Sequence, residues 1–225
     1  MPRLRVTVAI PTKNEEGLVG EVIDGVKPFA DEILVVDGHS SDRTREIAAA
    51  HGARVVLDHG RGKGDAVRVA IAEAAGDILV MIDADGSHDP NDIPRLTEPI
   101  HLDAFDLVIG SRNKGGSDER DGTITQFVRY LGSHLIMLAI NYRFDIRHTD
   151  CQNGFRAIRV SVARKLGLTS NVATIEQEML MKALKQGYRC TEIPSHEYER
   201  KWGKTKILIW KIWPQVGWTF LRNIF

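Results

Sequence analysis

The chain has 225 residues, of which 43% are hydrophobic and 27% charged, which is ordinary for a soluble globular protein. Its 30 basic and 30 acidic residues cancel, so no net positive charge points to a nucleic-acid partner. The two cysteines, Cys151 and Cys190, lack a CxxC spacing and no secretory signal precedes them, which predicts reduced thiols in a cytoplasmic protein.

The first half of the chain alternates between short apolar strands and helical patterns. In chain order, the predicted strands span residues 6–10, 33–36, 54–57, 78–83 and 107–110. This alternation predicts an α/β fold with a mainly parallel central sheet and helices on both faces. Ligands bind at the carboxyl ends of such strands, and the loops that follow three of them contain Asn14, Asp37 and Asp83.

A glycine-rich loop, Gly60–Gly64, follows the third predicted strand. Its spacing matches neither a dinucleotide fingerprint nor a P-loop. The glycines, with Arg61 and Lys63, predict either a loop that approaches a phosphate or a base, or a loop whose charges are solvated.

Two carboxylates, Asp83 and Asp85, follow the apolar run that starts at Ile78. Aspartates before a glycine are often simple turn residues, but oxygen ligands at an exposed strand end also suit a divalent cation. In an extended segment their Cα atoms would lie about 6.6 Å apart. We therefore expect one carboxylate to bind the metal directly and the other to act through water or a ribose hydroxyl.

The second half of the chain is less regular. Residues 127–141 predict a helix, in the core or facing a ligand, whose apolar run is too short to span a bilayer. A helix over 175–185 precedes a strand over 189–193, and Glu176 and Glu178 are expected on the helix surface, though either could reach a ligand. His39 is expected to be solvated, with a ligand contact as the alternative.

The C-terminal stretch, 207–225, holds three of the four tryptophans and is interrupted by Lys211, Pro214 and Arg222. This pattern favours an amphipathic helix on a membrane surface, and a helix packed on the domain is the alternative. We divide the chain into an α/β domain, 1–206, and this helix, 207–225.

The segments "PTKNEE", "VVDGHSSDRT", "GRGKGDAVRVA", "MIDADGSHDP", "VIGSR", "DCQNGFRAI" and "ERKWGKTK" occur in the order seen in glycosyltransferase family 2. The chain resembles the branch that moves a sugar from a nucleotide to dolichyl or polyprenyl phosphate, the dolichol-phosphate mannose synthase type. The resemblance implies a GT-A fold, inversion at the anomeric carbon and a divalent metal, Mg²⁺ or Mn²⁺.

The resemblance also implies roles for individual residues. Nucleotide-sugar contacts fall to Pro11, Asn14, Glu15, Asp37, Lys63 and Asp83, the metal to Asp83 and Asp85, catalytic roles to Asp85, Arg112 and Arg200, and the acceptor phosphate to Arg129, Arg200, Lys204 and Lys206. Ser87 stands where mannose synthases often have glutamine, and Gly38 replaces an acidic residue of the family pattern.

A phosphate acceptor is already an anion at neutral pH and needs cations to position it, whereas a sugar alcohol needs a general base. The basic residues above therefore favour a polyprenyl phosphate acceptor, with GDP-mannose as the first donor and UDP-glucose or UDP-GlcNAc next. The alternatives are transfer to a soluble glycan or protein, with Glu176 or Glu178 as base, and a non-catalytic nucleotide-sugar-binding subunit. We expect a peripheral protein on the cytosolic face of a membrane, alone, as a homo-oligomer or with a membrane partner subunit.

Overall fold

A computed structural model describes residues 3–118, 124–201 and 209–224, with only the backbone described for 124–129 and 209–213. Within these ranges one sheet contains β1 (Val6–Thr12), β2 (Glu32–Asp37), β3 (Arg54–Leu57), β4 (Ile78–Met81), β5 (Leu107–Ser111), β6 (Arg156–Arg159) and β7 (Cys190–Pro194). The spatial order is β3-β2-β1-β4-β6-β5-β7. β6 runs antiparallel to β4 and β5, and the other neighbours are parallel.

Helices follow most of the strands. They are α1 (Val19–Val26), α2 (Thr44–Ala50), α3 (Lys63–Glu73), α4 (Ile93–His101), α5 (Arg112–Gly115), α6 (Ile124–Phe144), α7 (Val160–Ala163), α8 (Ile175–Lys185) and α9 (Ile209–Ile224). The prediction of a mainly parallel sheet covered on both faces is confirmed. The helix predicted over 175–185 is found at those residues, and the one predicted over 127–141 is three residues longer at each end.

The two faces of the sheet follow from the alternation of side chains along the strands. Ala9 of β1 packs in the core cluster formed with α3, α7 and α8. Its neighbours Val8 and Ile10 point to the opposite cluster, formed with α1 and α4. Each face is thus buried under its own layer of helices, which explains why the strands read as continuous apolar runs.

β6 was not predicted. Two of its four residues are arginines, so it lacks the apolar run that identified the other strands. Arg156 is nevertheless fully buried, because its guanidinium donates hydrogen bonds to the main-chain carbonyls of Cys151, Asn153 and Glu176. Inserted between β4 and β5, this strand brings Gly154 next to Asp83.

The strand that carries the aspartate pair is shorter than predicted. β4 ends at Met81, and residues 84–85 form a turn. The extended spacing that we assumed for Asp83 and Asp85 therefore does not apply.

α9 packs against α8 and α6. Its residues Val216 and Ile224 are buried, while Trp218 is 67% exposed. Of the helices in the described part of the chain, none is long and apolar enough to cross a bilayer.

Candidate active site

The loops after β1 and β2 bond to each other at the carboxyl ends of their strands. The backbone N–H of Asn14 donates to Ser40 Oγ (2.8 Å), and the N–H of Ser41 donates to Asn14 Oδ1 (2.9 Å). The next residue, Glu15, donates its N–H to Thr44 Oγ1 (2.8 Å). Asn14 takes a left-handed conformation, with φ of 57°, that asparagine tolerates better than most residues. The two loops are therefore held together by hydrogen bonds at the edge of the sheet where the ligand crevice is predicted.

Asp37 is fully buried at the end of β2, where its carboxylate accepts hydrogen bonds from the N–H (2.9 Å) and Oγ (2.5 Å) of Ser40. Arg45 lies 3.7 Å away. These contacts give Asp37 a role in closing its loop, and its contact with a nucleotide stays a prediction. The same holds for Pro11, which is partly buried in β1 beside Val36.

A compact charge cluster joins the glycine-rich loop to the aspartate pair. Lys63 Nζ lies 2.8 Å from Asp83 Oδ1 and 3.2 Å from Glu176 Oε1. Burial opposes the ionisation of Asp83, but Lys63, followed by His88, lowers its pKa to about 2. Burial likewise disfavours the charged form of Lys63, but Asp83 and Glu176 raise its pKa above the ordinary value. Gly154 closes the cluster, because a Cβ there would lie 3.0 Å from Asp83 Oδ2 and from Lys63 Nζ.

Asp85 is buried and bonded through both oxygens. Its Oδ1 accepts the N–H (3.0 Å) and Oγ (2.6 Å) of Ser87, and its Oδ2 lies 3.1 Å from Arg200 Nη2. The chain around Arg200 is docked here by its backbone: Tyr198 N–H donates to Ser87 O (2.8 Å) and Lys201 N–H to Asp85 O (3.1 Å). The structure thus brings together two residues predicted for different roles, the metal and the acceptor.

These residues fit a divalent cation. The guanidinium of Arg200 already places a positive charge 3.1 Å from Asp85 Oδ2, so this carboxylate stands where a cation is accommodated. Within the described ranges, no three His, Cys, Asp or Glu side chains converge on one metal position. Mg²⁺ is commonly held by one or two carboxylates and completed by substrate phosphates, which is the arrangement that Asp83 and Asp85 could support.

Arg112 lies at the start of α5 in a network of acids. Its Nε and Nη2 donate to the two oxygens of Asp150 (2.7 and 3.1 Å), and its Nη1 donates to Glu197 Oε1 (3.2 Å). Burial disfavours ionisation of Asp150, but Arg112 lowers its pKa to about 2. Ser117 Oγ donates to the other Glu197 oxygen (2.6 Å). Because most of its donors are engaged by Asp150 and Glu197, Arg112 holds two loops together, and its contact with a phosphate stays a prediction.

The expectation that Glu176 and Glu178 lie on a helix surface is wrong, since both are buried. Glu176 contacts Lys63 as described above. Glu178 accepts hydrogen bonds from Thr169 and Ser170 and pairs with Lys182 (2.6 Å), so it anchors the loop before α8.

Sequence reasoning missed three residues that complete the site. Asp150 and Glu197 hold Arg112, and His88 is buried with its Nε2 3.9 Å from Asp83 Oδ2. His88 stacks on Phe155 at 5.0 Å between ring centroids, and burial lowers its pKa. Asp150 and His88 lie inside the quoted motifs and Glu197 lies two residues before one, but a motif does not show which residues pair.

Three predicted acceptor residues lie outside the described parts: Lys204, Lys206 and the side chain of Arg129. His39 is half exposed, as expected, and its Nε2 lies 3.0 Å from the carbonyl of Asp58.

The family model described as Glycosyl transferase family 2 matches residues 7–167. Undecaprenyl-phosphate mannosyltransferase of Micrococcus luteus is 35% identical over 223 residues, covering 91% of this chain and 88% of that protein. Dolichyl-phosphate hexose transferase of Haloferax volcanii is 30% identical over 210 residues, covering 90% and 86%. Glycosyltransferase AglJ of the same organism is 34% identical over 198 residues, or 87% of this chain, and the match spans 63% of that relative's length.

A solved structure of glucosyl-3-phosphoglycerate synthase from Mycobacterium tuberculosis, in complex with Mn²⁺, UDP and glucosyl-3-phosphoglycerate, is similar with a TM-score of 0.75. The likeness covers 99% of this chain and 80% of that one at 23% sequence identity. It confirms the predicted GT-A fold.

Proposed function

The chain belongs to glycosyltransferase family 2, and we propose that it transfers a hexose from a nucleotide sugar to the phosphate of a dolichyl or polyprenyl phosphate. The observation that carries this proposal is the contact between Asp85, a predicted metal ligand, and Arg200, a predicted phosphate ligand. In the proposed reaction this carboxylate would bind the donor's cation, and the neighbouring guanidinium would bind the acceptor's anion. The names of two relatives, an undecaprenyl-phosphate mannosyltransferase and a dolichyl-phosphate hexose transferase, support the same acceptor.

The donor side of the proposal rests on Asp83 and Asp85, which would hold Mg²⁺ or Mn²⁺. Such a cation, when bound, neutralises the charge that develops on the leaving nucleoside diphosphate. Lys63, fixed by Asp83 and Glu176, adds a second positive charge at the same end of the sheet. The turns around Asn14, Glu15 and Asp37 would hold the nucleoside.

The acceptor side needs no general base, because a phosphate monoester is already ionised at neutral pH. The two candidate bases are otherwise engaged: Glu176 with Lys63, and Glu178 with the loop before α8. Arg200 would orient the acceptor phosphate for attack on the anomeric carbon with inversion. Arg112, held by Asp150 and Glu197, would supply charge and fix the loops around it.

A lipid acceptor also requires contact with a membrane, and two helices have surfaces suited to it. Neither α6 nor α9 contains an acidic residue. α6 leaves Leu131, Leu135 and Leu138 about half or more exposed at helical spacing, and α9 does the same with Trp218 and Leu221. Exposed apolar and aromatic side chains on helices that contain no acidic residue favour an anionic lipid surface. We therefore place the enzyme peripherally on a membrane, through α6 as well as the C-terminal helix.

The decisive assay tests a panel of sugar nucleotides, led by GDP-mannose, UDP-glucose and UDP-GlcNAc, with and without a short polyprenyl phosphate. We expect one donor to yield a glycosyl phospholipid, and EDTA to abolish the product. The matching polyprenol, which lacks the phosphate, should not be glycosylated. Transfer to the free alcohol at the same rate would overturn the charge-based mechanism.

Membrane contact is tested by sedimentation with vesicles of phosphatidylcholine and phosphatidylglycerol. Replacing Leu135 and Leu138 together by serine should lower the bound fraction severalfold, because each exposed leucine loses its apolar burial in the lipid. Leu102→Ser is the matched control, since Leu102 is 72% exposed after α4, a helix that packs on the other face of the sheet from α6. Equal binding of the wild type and the double variant would contradict the role of α6.

A further inference from the structure

Both oxygens of Asp85 are in use in the structure. Ser87 bonds to Oδ1 through its N–H and its hydroxyl, and Arg200 pairs with Oδ2. Asp83 differs, because Lys63 lies against Oδ1 while Oδ2 is 3.9 Å from the nearest ring nitrogen of His88. Arg200 also helps to lower the pKa of Asp83, but its ion pair is with Asp85. A cation that approached Asp85 would therefore meet the Arg200 guanidinium at Oδ2, whereas at Asp83 it would meet the Lys63 ammonium at Oδ1.

We propose that Arg200 and the divalent cation compete for Asp85, so that cation binding releases the Arg200 side chain for the acceptor phosphate. The exchange follows from charge: a carboxylate neutralised by a divalent ion no longer attracts the guanidinium, and the two cations repel each other at contact distance. The acceptor half of this inference rests on the proposed function. The cation half rests on the ion pair alone.

The backbone contacts make the exchange a local one. Tyr198 and Lys201 dock the chain on Ser87 and Asp85 through main-chain hydrogen bonds that do not involve the Asp85 carboxylate. They flank Arg200 on both sides, so its side chain can swing while the segment stays in place. The other strongly paired arginine of the site, Arg112, is held by Asp150 and Glu197, neither of which is a predicted metal ligand. Arg112 would therefore not be released.

Competition at one carboxylate couples two binding events. The apparent cation affinity is reduced by the fraction of molecules in which Arg200 covers Asp85. An anion that draws Arg200 away raises the cation affinity, and by linkage the cation raises the affinity for that anion by the same factor. The enzyme would thus present Arg200 to the acceptor only after the donor's metal has arrived.

The test is the dissociation constant of Mn²⁺ alone, measured by electron paramagnetic resonance on the full chain. Arg200→Gln should bind Mn²⁺ about threefold to tenfold more tightly than the wild type, because the competitor is lost. Arg200→Lys keeps a cation and should remain near the wild type. The matched control is Lys201→Gln, which removes the same charge one position away from an exposed side chain that lies beside Gly86. It should change the constant less than twofold.

A second titration adds citronellyl phosphate, a short isoprenyl phosphate. It should tighten Mn²⁺ binding to the wild type and leave Arg200→Gln unchanged. Equal Mn²⁺ affinities of the wild type and Arg200→Gln, or equal tightening by Lys201→Gln, would overturn the exchange. Tightening of Arg200→Gln by the phosphate would overturn its link to the acceptor. Neither result depends on whether transfer occurs, so the failure of this inference is distinguishable from that of the proposed function.

Discussion

Two sides of the crevice are built from different kinds of contact. The nucleotide side consists of the loops after β1, β2 and β4. There, Asp37 and Asp85 accept hydrogen bonds from serines three and two positions further along the chain. The acceptor side consists of the loop after β5 and residues 148–153 and 195–201. There, Arg112 pairs with Asp150 and Glu197, which lie 38 and 85 positions later in the sequence. The first side combines local turns with hydrogen bonds between the loops after β1 and β2, and the second is a network of ion pairs between distant segments.

The difference predicts how each side responds to substitution. A turn hydrogen bond near the surface is replaced by water at a cost of about 1 kcal/mol. A buried ion pair that loses one partner leaves the other charge without compensation, which costs about 3–5 kcal/mol. The acceptor side should therefore be the more fragile in folding, and the nucleotide side the more tolerant.

The largest effect on folding is expected for Asp150→Ala. Asp150 is buried, pairs with Arg112 and accepts the N–H groups of Gln152 and Asn153. Its loss should lower the free energy of unfolding by about 3–5 kcal/mol, measured by urea denaturation. On the nucleotide side, Ser41→Ala should cost about 1 kcal/mol or less, because Ser41 is exposed and its N–H bond to Asn14 remains. Equal losses of unfolding free energy in Asp150→Ala and Ser41→Ala would contradict the expected difference between the two sides.

Asp85→Asn should have the largest effect on turnover. Removing one contact that stabilises charge in the transition state typically costs about 2.7–4 kcal/mol, so kcat should fall by roughly a hundredfold to a thousandfold. Its amide oxygen still accepts a bond from Ser87, and the Arg200 side chain that loses its partner is partly exposed, so the melting temperature should fall less than in Asp150→Ala. Asp89→Asn is the control, since Asp89 caps the turn at Pro90 through Asn91 N–H and has no predicted role in the metal site. Full activity of Asp85→Asn would contradict a metal on this residue.

The difference between local turns and ion pairs of distant segments also explains how much of the structure could be predicted from the sequence. The strands and loops of the nucleotide side follow from apolar runs and turn residues, which are local signals. β6 was not predicted, because the burial of Arg156 depends on hydrogen bonds to the carbonyls of three separate residues. No local sequence pattern reveals these bonds. Glu176 was misplaced for a related reason: the helix period was right, but Lys63, its partner, lies 113 positions earlier. Residue types could be recognised from motifs, whereas their partners required the fold.

Glu176→Gln and Glu178→Gln should be milder, lowering kcat/KM by less than about tenfold. Glu176 shares Lys63 with Asp83, so one counter-charge for the ammonium remains in the variant. Among the described residues, the hydrogen bonds and ion pair of Glu178 go to the loop before α8 and to Lys182, so its effect should fall on stability. A general base typically contributes a hundredfold or more. Loss of a hundredfold in Glu176→Gln alone would therefore identify it as the base and favour a sugar alcohol acceptor.

The smallest effect is a pH dependence of folding that belongs to the acceptor side. His148 is buried at the start of the segment 148–153, and neither of its ring nitrogens has a hydrogen-bond partner within the described residues. Burial lowers its pKa from 6.5, with Glu192 opposing the shift and Lys114, which pairs with Glu192 at 3.0 Å, adding to it. The unfolded chain then binds a proton at this residue more readily than the folded protein does.

Stability from His148 is therefore complete above pH 6.5 and is lost as the pH falls through that value toward the lower pKa of the folded state. His196 has the opposite sign, because bonds to the Gly115 carbonyl and Asp118 raise its pKa, but it is present in both proteins and cancels in a comparison. Urea unfolding of the wild type and His148→Leu between pH 7.5 and 5.5 should show a steeper fall for the wild type. The difference in slope should stay below about 1.4 kcal/mol per pH unit, the limit for one proton. Parallel curves would contradict the shift, because they would show that the pKa of His148 is the same in the folded and unfolded protein, with Glu192 offsetting both burial and Lys114.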